Sequence, residues 1–264
     1  MNRRLILIAG AVLFIGAAAA LFWMQRTAKA PTAALQAPPA PVAAAPPAPT
    51  PPAAIQYPVA PPEVAAPPLT AEQSDAALAT TITGFIGPSA YVQWIRTDRL
   101  AHRVVATVDN LGHPGPGFEQ RLVRFVGGNF RVSGAEDAPV IAPENAQRYL
   151  PLLQLLNAID LNRVVQEYRR VYPLLQEAYV GLNAQNGYFN DRLVQVVDQL
   201  LDAPELSGPI ALERPGVMYR FKDPALEKLT SGQKLLIRMG PAYEAQVKVR
   251  LRAVRALLTA SPKT

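Results

Sequence analysis

The sequence contains no cysteine, only two histidines and few charged residues, which make up 17% of the chain. Without thiols there is no thiolate metal site, no cysteine nucleophile and no disulfide, so the folded part depends on packing for its stability. His102 and His113 would need carboxylates such as Asp98 or Asp109 to complete a metal site. Their spacing favours a surface pair of His102 with Asp98 and a turn at His113, so we assign no metal ligand and no cofactor.

Apolar residues and proline are abundant, because half of the chain is apolar and 27 residues are proline. Residues 5–24 carry no charge, and as a helix they would span about 30 Å, the thickness of a bilayer's hydrocarbon core. The head at residues 1–4 contains Arg3 and Arg4 and is expected to stay in the cytoplasm, which places the following chain in the periplasm. We therefore predict a single-pass anchor in the bacterial inner membrane. A signal peptide cleaved among residues 17–20 is the alternative.

Residues 25–68 are predicted to form a disordered tether. From residue 28 onward this stretch contains 14 prolines and 15 alanines, and only Lys29 and Glu63 are charged. It can bury little apolar surface and favours polyproline II, with an extended reach on the order of 127 Å. The alternative, a P-x-x-P ligand for a groove, lacks the basic or aromatic neighbours such ligands carry, apart from Tyr57.

The remaining residues, 69–264, are predicted to form one mainly α domain with one or two short β-hairpins. This part has 22 Lys and Arg against 19 Asp and Glu, a balance that does not indicate a nucleic-acid partner. Apolar side chains at spacings of three and four predict helices. These are a first helix ending at Gly84, a second over residues 89–111, two beginning at Pro143 and Asp160, and four more after Gly187.

Local signals refine this outline. Asp160 is expected to cap the longest helix, and Pro173 is expected to bend that helix or divide it into two. The strongest hairpin signal pairs residues 121–126 with residues 129–132 around two glycines. A weaker signal pairs residues 210–212 with residues 217–221.

Ser231 and Lys234 match the S-x-x-K pattern, in which a lysine one helical turn later can activate a serine. No S-x-N or K-T-G partner motif follows, and the chain has no G-x-S-x-G, H-E-x-x-H, P-loop or G-x-G-x-x-G motif. A serine N-cap beside a solvated lysine explains the same residues. We therefore assign no catalytic residue.

Other charged groups are more simply read as surface residues. Two carboxylate pairs on predicted helices could in principle cleave glycosidic bonds, namely Asp191 with Asp198 and Glu167 with Glu177. The last helix carries a basic run that fits a solvated face, with contact to anionic lipid or a partner as the alternative. The run comprises Lys248, Arg250, Arg252 and Arg255.

The most unusual cluster lies at residues 188–192, where two aromatic residues precede a polar helix start. Phe189 can pack back on the helix while Asn190 or Asp191 caps it. That interpretation leaves the hydroxyl of Tyr188 and the guanidinium of Arg192 unexplained. We therefore take Tyr188, Asn190, Asp191 and Arg192 as candidate contacts for a ligand or partner.

Four strings in this order resemble a known family: VATVDNL, RRVYPLLQEAY, GYFNDRLVQVVDQLL and GQKLLIRMGP, at residues 105–111, 169–179, 187–201 and 232–241. The family is the proteobacterial domain-of-unknown-function family numbered three thousand and fourteen, and the similarity covers residues 69–258. The resemblance implies an anchored envelope protein with a single folded domain. It implies no substrate, cofactor or catalytic residue.

Two hypotheses for the function follow. The first is a non-catalytic binding or scaffolding module for an envelope protein or cell-wall partner. The second is an envelope enzyme acting on a cell-wall or lipid-linked substrate, with the cluster at residues 188–192 and the Ser231–Lys234 pair as the residues to test.

Overall fold

A computed structural model describes residues 54–59, 71–115, 120–124, 129–182 and 187–260. Within these ranges the chain is mainly helical and has two small antiparallel hairpins, which confirms the predicted fold of the domain. None of the helices in these ranges combines the length and the hydropathy needed to span a bilayer. The anchor predicted at residues 5–24 lies outside the described residues.

The helices and strands are named here in their order along the chain. The helices are α1 (Ala71–Ile86), α2 (Pro88–Trp94), α3 (Leu100–Leu111), α4 (Leu150–Asn157), α5 (Leu161–Val180), α6 (Phe189–Leu201), α7 (Pro224–Glu227), α8 (Ser231–Met239) and α9 (Pro241–Thr259). A 3₁₀ helix (Pro143–Tyr149) leads into α4. The strands are β1 (Val132–Ala135), β2 (Ala138–Ile141), β3 (Leu212–Glu213) and β4 (Arg220–Phe221).

The main core lies between α3, α5, α6 and α9, whose apolar stripes face one another. Leu111, Leu175, Val196 and Leu251 come from these four helices in turn, and each is fully buried. Each such side chain contributes about 1.5–3 kcal/mol when it is removed from water. The periodicity that predicted these helices therefore also identified the face that each helix buries.

Helix α5 begins as predicted and continues through its proline. The Asp160 carboxylate accepts hydrogen bonds from the amides of Asn162, at 2.9 Å, and Arg163, at 3.4 Å, which confirms the cap. Pro173 lies inside one continuous helix, so a division into two helices is wrong. The proline removes a single amide donor, whereas buried Tyr172 and Leu175 hold the backbone on both sides of it against the core.

The single helix predicted over residues 89–111 is wrong, because an extended stretch separates α2 from α3. Ile95 is fully buried and pairs with Val123 in an antiparallel bridge. The Arg96 amide donates to the Leu122 carbonyl at 2.9 Å. Arg99 then adopts a left-handed conformation, with φ of 52°, immediately before α3. Pairing with a distant segment thus overrides the local helical pattern.

The stronger of the two hairpin predictions placed the strands wrongly. Residues 121–124 pair with the stretch after α2, and residues 125–128, which include the predicted turn, lie outside the described residues. The observed hairpin joins β1 to β2, with Val132 opposite Ile141 and Ala135 opposite Ala138. Residues 121–124 were expected to pair with residues 129–132, but they pair with the stretch between α2 and α3 instead.

The weaker hairpin prediction is confirmed by β3 and β4, where Leu212 lies opposite Phe221. These two residues and Ile237 of α8 form a second, smaller apolar cluster. The Ile141 amide donates to the Ile210 carbonyl at 3.0 Å and joins the two hairpins. The two hairpins are therefore joined to each other, and the second packs against α8.

Candidate functional site at the start of helix α6

The first amides of α6 are capped by side chains of α5. The helix begins at Phe189, whose amide donates to Oε1 of Gln176 at 2.8 Å. The Asn190 amide donates to the Tyr172 hydroxyl at 3.4 Å. The prediction that Asn190 or Asp191 caps this helix is therefore wrong. Because α5 supplies the caps, both side chains are available for other partners.

Asn190 is held in one orientation by a buried tyrosine. Its side chain is fully buried, and the hydroxyl of Tyr168 donates to Oδ1 at 2.9 Å. Burial raises the pKa of Tyr168 well above its ordinary value, so the hydroxyl keeps its proton and remains a donor. This bond directs the amide nitrogen of Asn190 the other way, where Nδ2 donates to the Tyr57 carbonyl at 2.8 Å.

The partner of this site is the chain's own segment 54–59, from the stretch that sequence assigned to the tether. The Asp191 carboxylate accepts hydrogen bonds from two consecutive amides, those of Gln56 at 2.9 Å and Tyr57 at 2.8 Å. The Tyr188 hydroxyl accepts a third, from the Val59 amide at 2.8 Å. With the Asn190 bond, four hydrogen bonds hold the backbone of this segment. On the segment's side, these four bonds are made by main-chain amides and a main-chain carbonyl only.

The side chains of the segment fill the groove between α5, α6 and α9. Tyr57 and Val59 are half-buried and pack against the main core. The gap that remains beneath Pro58 and Val59 is about 10 Å³, which is room for about one water molecule. The protein side of this gap is lined by Tyr168, Arg169, Asn190, Leu258 and Ala260. The segment therefore fits the groove closely.

An ion pair borders the groove on the side of Tyr57. Arg255 of α9 contacts the Asp198 carboxylate of α6 with both Nε and Nη2. The hydrogen bond to Asp198 raises the pKa of Arg255, and the nearby Tyr57 adds a smaller effect in the same direction. The pair joins α6 to α9 where the segment rests. Asp198 therefore contacts Arg255, whereas Asp191 contacts the segment.

The fourth candidate, Arg192, belongs to a different contact. Its Nε donates to Oδ1 of Asp109 at 2.7 Å, and its Nη2 donates to the Asp109 carbonyl at 3.1 Å. The guanidinium passes so close to Gly112 that a β-carbon there would lie 2.7 Å from Nη2. Arg192 thus binds the carboxyl end of α3, where a positive charge is favourable. It does not contact the groove.

Ser231 and Lys234 are both engaged in structural bonds. Ser231 is the first residue of α8, and Thr230 is its N-cap in a capping box with Gln233, so a serine cap is wrong. The Ser231 hydroxyl contacts the carbonyls of Asn110 at 2.6 Å and His113 at 2.9 Å, at the end of α3. Thr230 is the better cap because its side chain reaches the Gln233 amide.

Two lysines that sequence placed in solvent are buried. Lys234 donates to the carbonyl of Glu227 at 2.9 Å and to its carboxylate at 3.0 Å. Lys248 donates to the Ala203 carbonyl at 2.6 Å, and its Nζ lies 3.0 Å from Oε1 of Glu244. The predictions that Lys234 is solvated and that Lys248 lies on a solvated face of the last helix are therefore wrong. Within that run Arg252 is exposed, as predicted.

The histidine and carboxylate predictions have mixed outcomes. His102 lies 2.9 Å from Oε1 of Gln120, while Asp98 binds Arg103, so the pairing of His102 with Asp98 is wrong. His113 lies in a turn, as predicted. Glu167 binds Arg170 at 2.7 Å. Among the residues that the structure describes, no three histidines or carboxylates come together as metal ligands.

Three of the four side chains that sequence reasoning selected hold the segment's backbone, but that reasoning missed how they are positioned. The hydroxyls of Tyr168 and Tyr172 and the amide of Gln176 support the site from α5. Their sequence signal was a helical stripe, which indicated burial but not hydrogen bonding. Tyr57 stood out only as an aromatic residue within a Pro/Ala-rich stretch.

The fold and the site define a mainly helical domain whose groove holds an extended segment of the same chain. The chain belongs to the family described as protein of unknown function (DUF3014), whose sequence profile matches residues 100–255. This range covers more than half of the chain and confirms the resemblance seen in the sequence. No curated protein and no solved structure matches the chain.

Proposed function

We propose that the protein is a membrane-anchored, non-catalytic binding or scaffolding module that presents its domain in the bacterial periplasm. The anchor and its orientation rest on the uncharged run at residues 5–24 and on Arg3 and Arg4 before it. The binding role is carried by one observation, the groove at the start of α6. There Tyr188, Asn190 and Asp191 bind a polypeptide backbone through four hydrogen bonds.

The chemistry of these side chains supports binding over catalysis. Asp191 accepts two amide protons, Tyr188 accepts one, and Asn190 donates to a carbonyl. This is the way in which a protein recognises an extended peptide. The other candidates for chemistry, Ser231 and Lys234, hold the ends of α3 and α7 in place.

The location is tested with reporters fused after residue 264 in a bacterial host. We expect alkaline phosphatase to be active and green fluorescent protein to stay dark, because the first folds only in the periplasm and the second only in the cytoplasm. Deletion of residues 5–24 is the control and should reverse both signals. A fluorescent protein that lights up on the intact chain would contradict the proposed location.

The binding role is tested by photo-crosslinking in the same cells. Ala260 is exposed and lines the groove, so a photoreactive residue at this position should yield discrete adducts. Val92 is 70% exposed on α2 and serves as the control position. Adducts from neither position, or equally from both, would contradict a partner-binding groove.

A further inference from the structure

We propose that the groove at the start of α6 is a peptide-recognition site for extended peptides containing a Tyr-Pro step, and that segment 54–59 is its exchangeable occupant within the same chain. This inference rests on the proposed binding function and names the chemical class of the ligand. It implies that a partner with such a peptide competes with the chain's own segment.

The hydrogen-bond pattern fits a proline at one position. Amides donate at Gln56, Tyr57 and Val59, and the residue between the last two is Pro58, which has no amide proton. The groove therefore leaves no donor of the segment unmatched at the proline. This register therefore accommodates a proline without the loss of any hydrogen bond to the groove.

The groove binds main-chain groups at four points and side chains at two, Tyr57 and Val59. Main-chain bonds are available to every extended peptide, so they supply affinity, while the half-buried side chains supply selectivity. Ile55 is 54% exposed and Pro58 is exposed, so their side chains bury less surface against the groove than those of Tyr57 and Val59. The recognised pattern is thus a tyrosine, a proline and an apolar residue in succession.

The segment is joined to α1 by residues 60–70, so it is present at a high effective concentration. A tether of about eleven residues corresponds to an effective concentration of the order of mM. A free peptide that binds an open groove with a Kd of about 10–100 μM would then bind the intact chain about 10- to 100-fold more weakly. Competition between the two is the measurable consequence.

The experiment uses the full-length chain in lipid nanodiscs and a fluorescently labelled peptide of residues 53–61 with blocked ends. In one variant, residues 54–59 are replaced by alternating glycine and serine to open the groove. We expect anisotropy to detect peptide binding to this variant and at least about tenfold weaker binding to the unmodified chain. The single change Tyr57→Ala in the chain weakens the occupant without replacing it, and should give intermediate binding.

Two changes test the contacts themselves. Asp191→Ala in the opened variant removes the acceptor of two amides and should weaken binding at least about tenfold. Asp202→Ala, an exposed carboxylate at the far end of α6, is the matched control and should leave binding unchanged. On the ligand, methylation of the Tyr57 amide nitrogen should also weaken binding, because it removes one of the two amide donors to Asp191.

The proposal is overturned if the peptide binds neither the opened variant nor the Tyr57→Ala chain, with both shown to be folded by circular dichroism. It is also overturned if binding is insensitive to Asp191→Ala and to amide methylation. These outcomes are separate from a failure of the proposed function, because reporter location and crosslinking in cells do not enter the measurement with purified protein.

Discussion

The buried ion pair of Lys248 and Glu244 offers the sharpest test of how α9 is held in place. Both side chains are only 3% exposed and lie one helical turn apart. Nζ of Lys248 is 3.0 Å from Oε1 of Glu244, and it donates hydrogen bonds to the Ala203 carbonyl and to Oε1 of Glu205. Lys248 therefore supplies the positive charge that balances the buried carboxylate of Glu244.

We predict that Lys248→Met destabilises the protein by about 3–5 kcal/mol, because it leaves the carboxylate of Glu244 buried without its cation. With a urea dependence of about 2 kcal/mol per molar, the unfolding midpoint should fall by about 2 M. The double change Lys248→Met with Glu244→Leu removes both charges. It should lose less than about 2 kcal/mol, because buried pairs replaced by apolar residues are often near neutral.

The destabilisation should also depend on pH in a defined direction. Burial raises the pKa of Glu244, while Lys248 opposes the effect. A carboxyl whose pKa is higher in the folded than in the unfolded state makes its full contribution to stability at pH values below the unfolded pKa. This contribution is lost as pH rises through the folded pKa. Without Lys248 the pKa should rise further. The Lys248→Met variant should therefore recover stability as pH falls from 7 towards the unfolded pKa of Glu244.

The assay is urea denaturation of the full-length chain in a mild non-ionic detergent, followed by circular dichroism at several pH values. The reasoning is refuted if Lys248→Met loses less than about 1 kcal/mol at pH 7. It is also refuted if the double variant loses the sum of the two single losses. A recovery with falling pH that persists after Glu244→Leu would show that another group is responsible.

Three further predictions use the same assay. Gly232→Ala should destabilise by about 1–3 kcal/mol, because the added β-carbon would clash with Cδ2 of Leu200 and lie 3.0 Å from the Leu111 carbonyl oxygen. Gly216→Ala, whose added β-carbon would meet no atom within 4 Å, should change stability by less than about 0.5 kcal/mol, and the reverse order would contradict the packing. Tyr168→Phe should lower the free energy of unfolding by about 1–3 kcal/mol, because Oδ1 of Asn190 loses its hydrogen-bond donor. An unchanged unfolding midpoint would argue against this bond. Thr230→Ala should lower the free energy of unfolding by about 1 kcal/mol, because α8 loses its cap. Thr230→Ser should retain the cap and the stability, so equal losses in the two variants would contradict the capping role.

Sequence reasoning succeeded where structure depends on neighbours within a turn or two. The Asp160 cap and the stripe of α5 were predictable because each rests on contacts over two to four residues. The interpretation of residues 188–192 as unusual was also sound. That interpretation left the Tyr188 hydroxyl and the Arg192 guanidinium without a local partner. Both have distant partners, the Val59 amide and Asp109 respectively.

The errors share one physical cause, which is that a distant group displaced the local partner. Residues 95 and 96 pair with residues 122 and 123 and so leave the predicted helix. The first amides of α6 bind Gln176 and Tyr172 in place of a local cap. Lys248 follows the charge pattern of a solvated face, yet Glu205 and Ala203 bring it acceptors inside the fold.

By itself the sequence determined the helical class of the domain and the buried face of each long helix, because composition and periodicity are local properties. Only the tertiary structure decided what the cluster at the start of α6 binds. Asp191 and the Gln56 amide are 135 residues apart, and the segment's side of the contact consists of main-chain groups. Every residue but proline carries such an amide, so no residue pattern could mark which of them meets Asp191 until the helices had formed the groove.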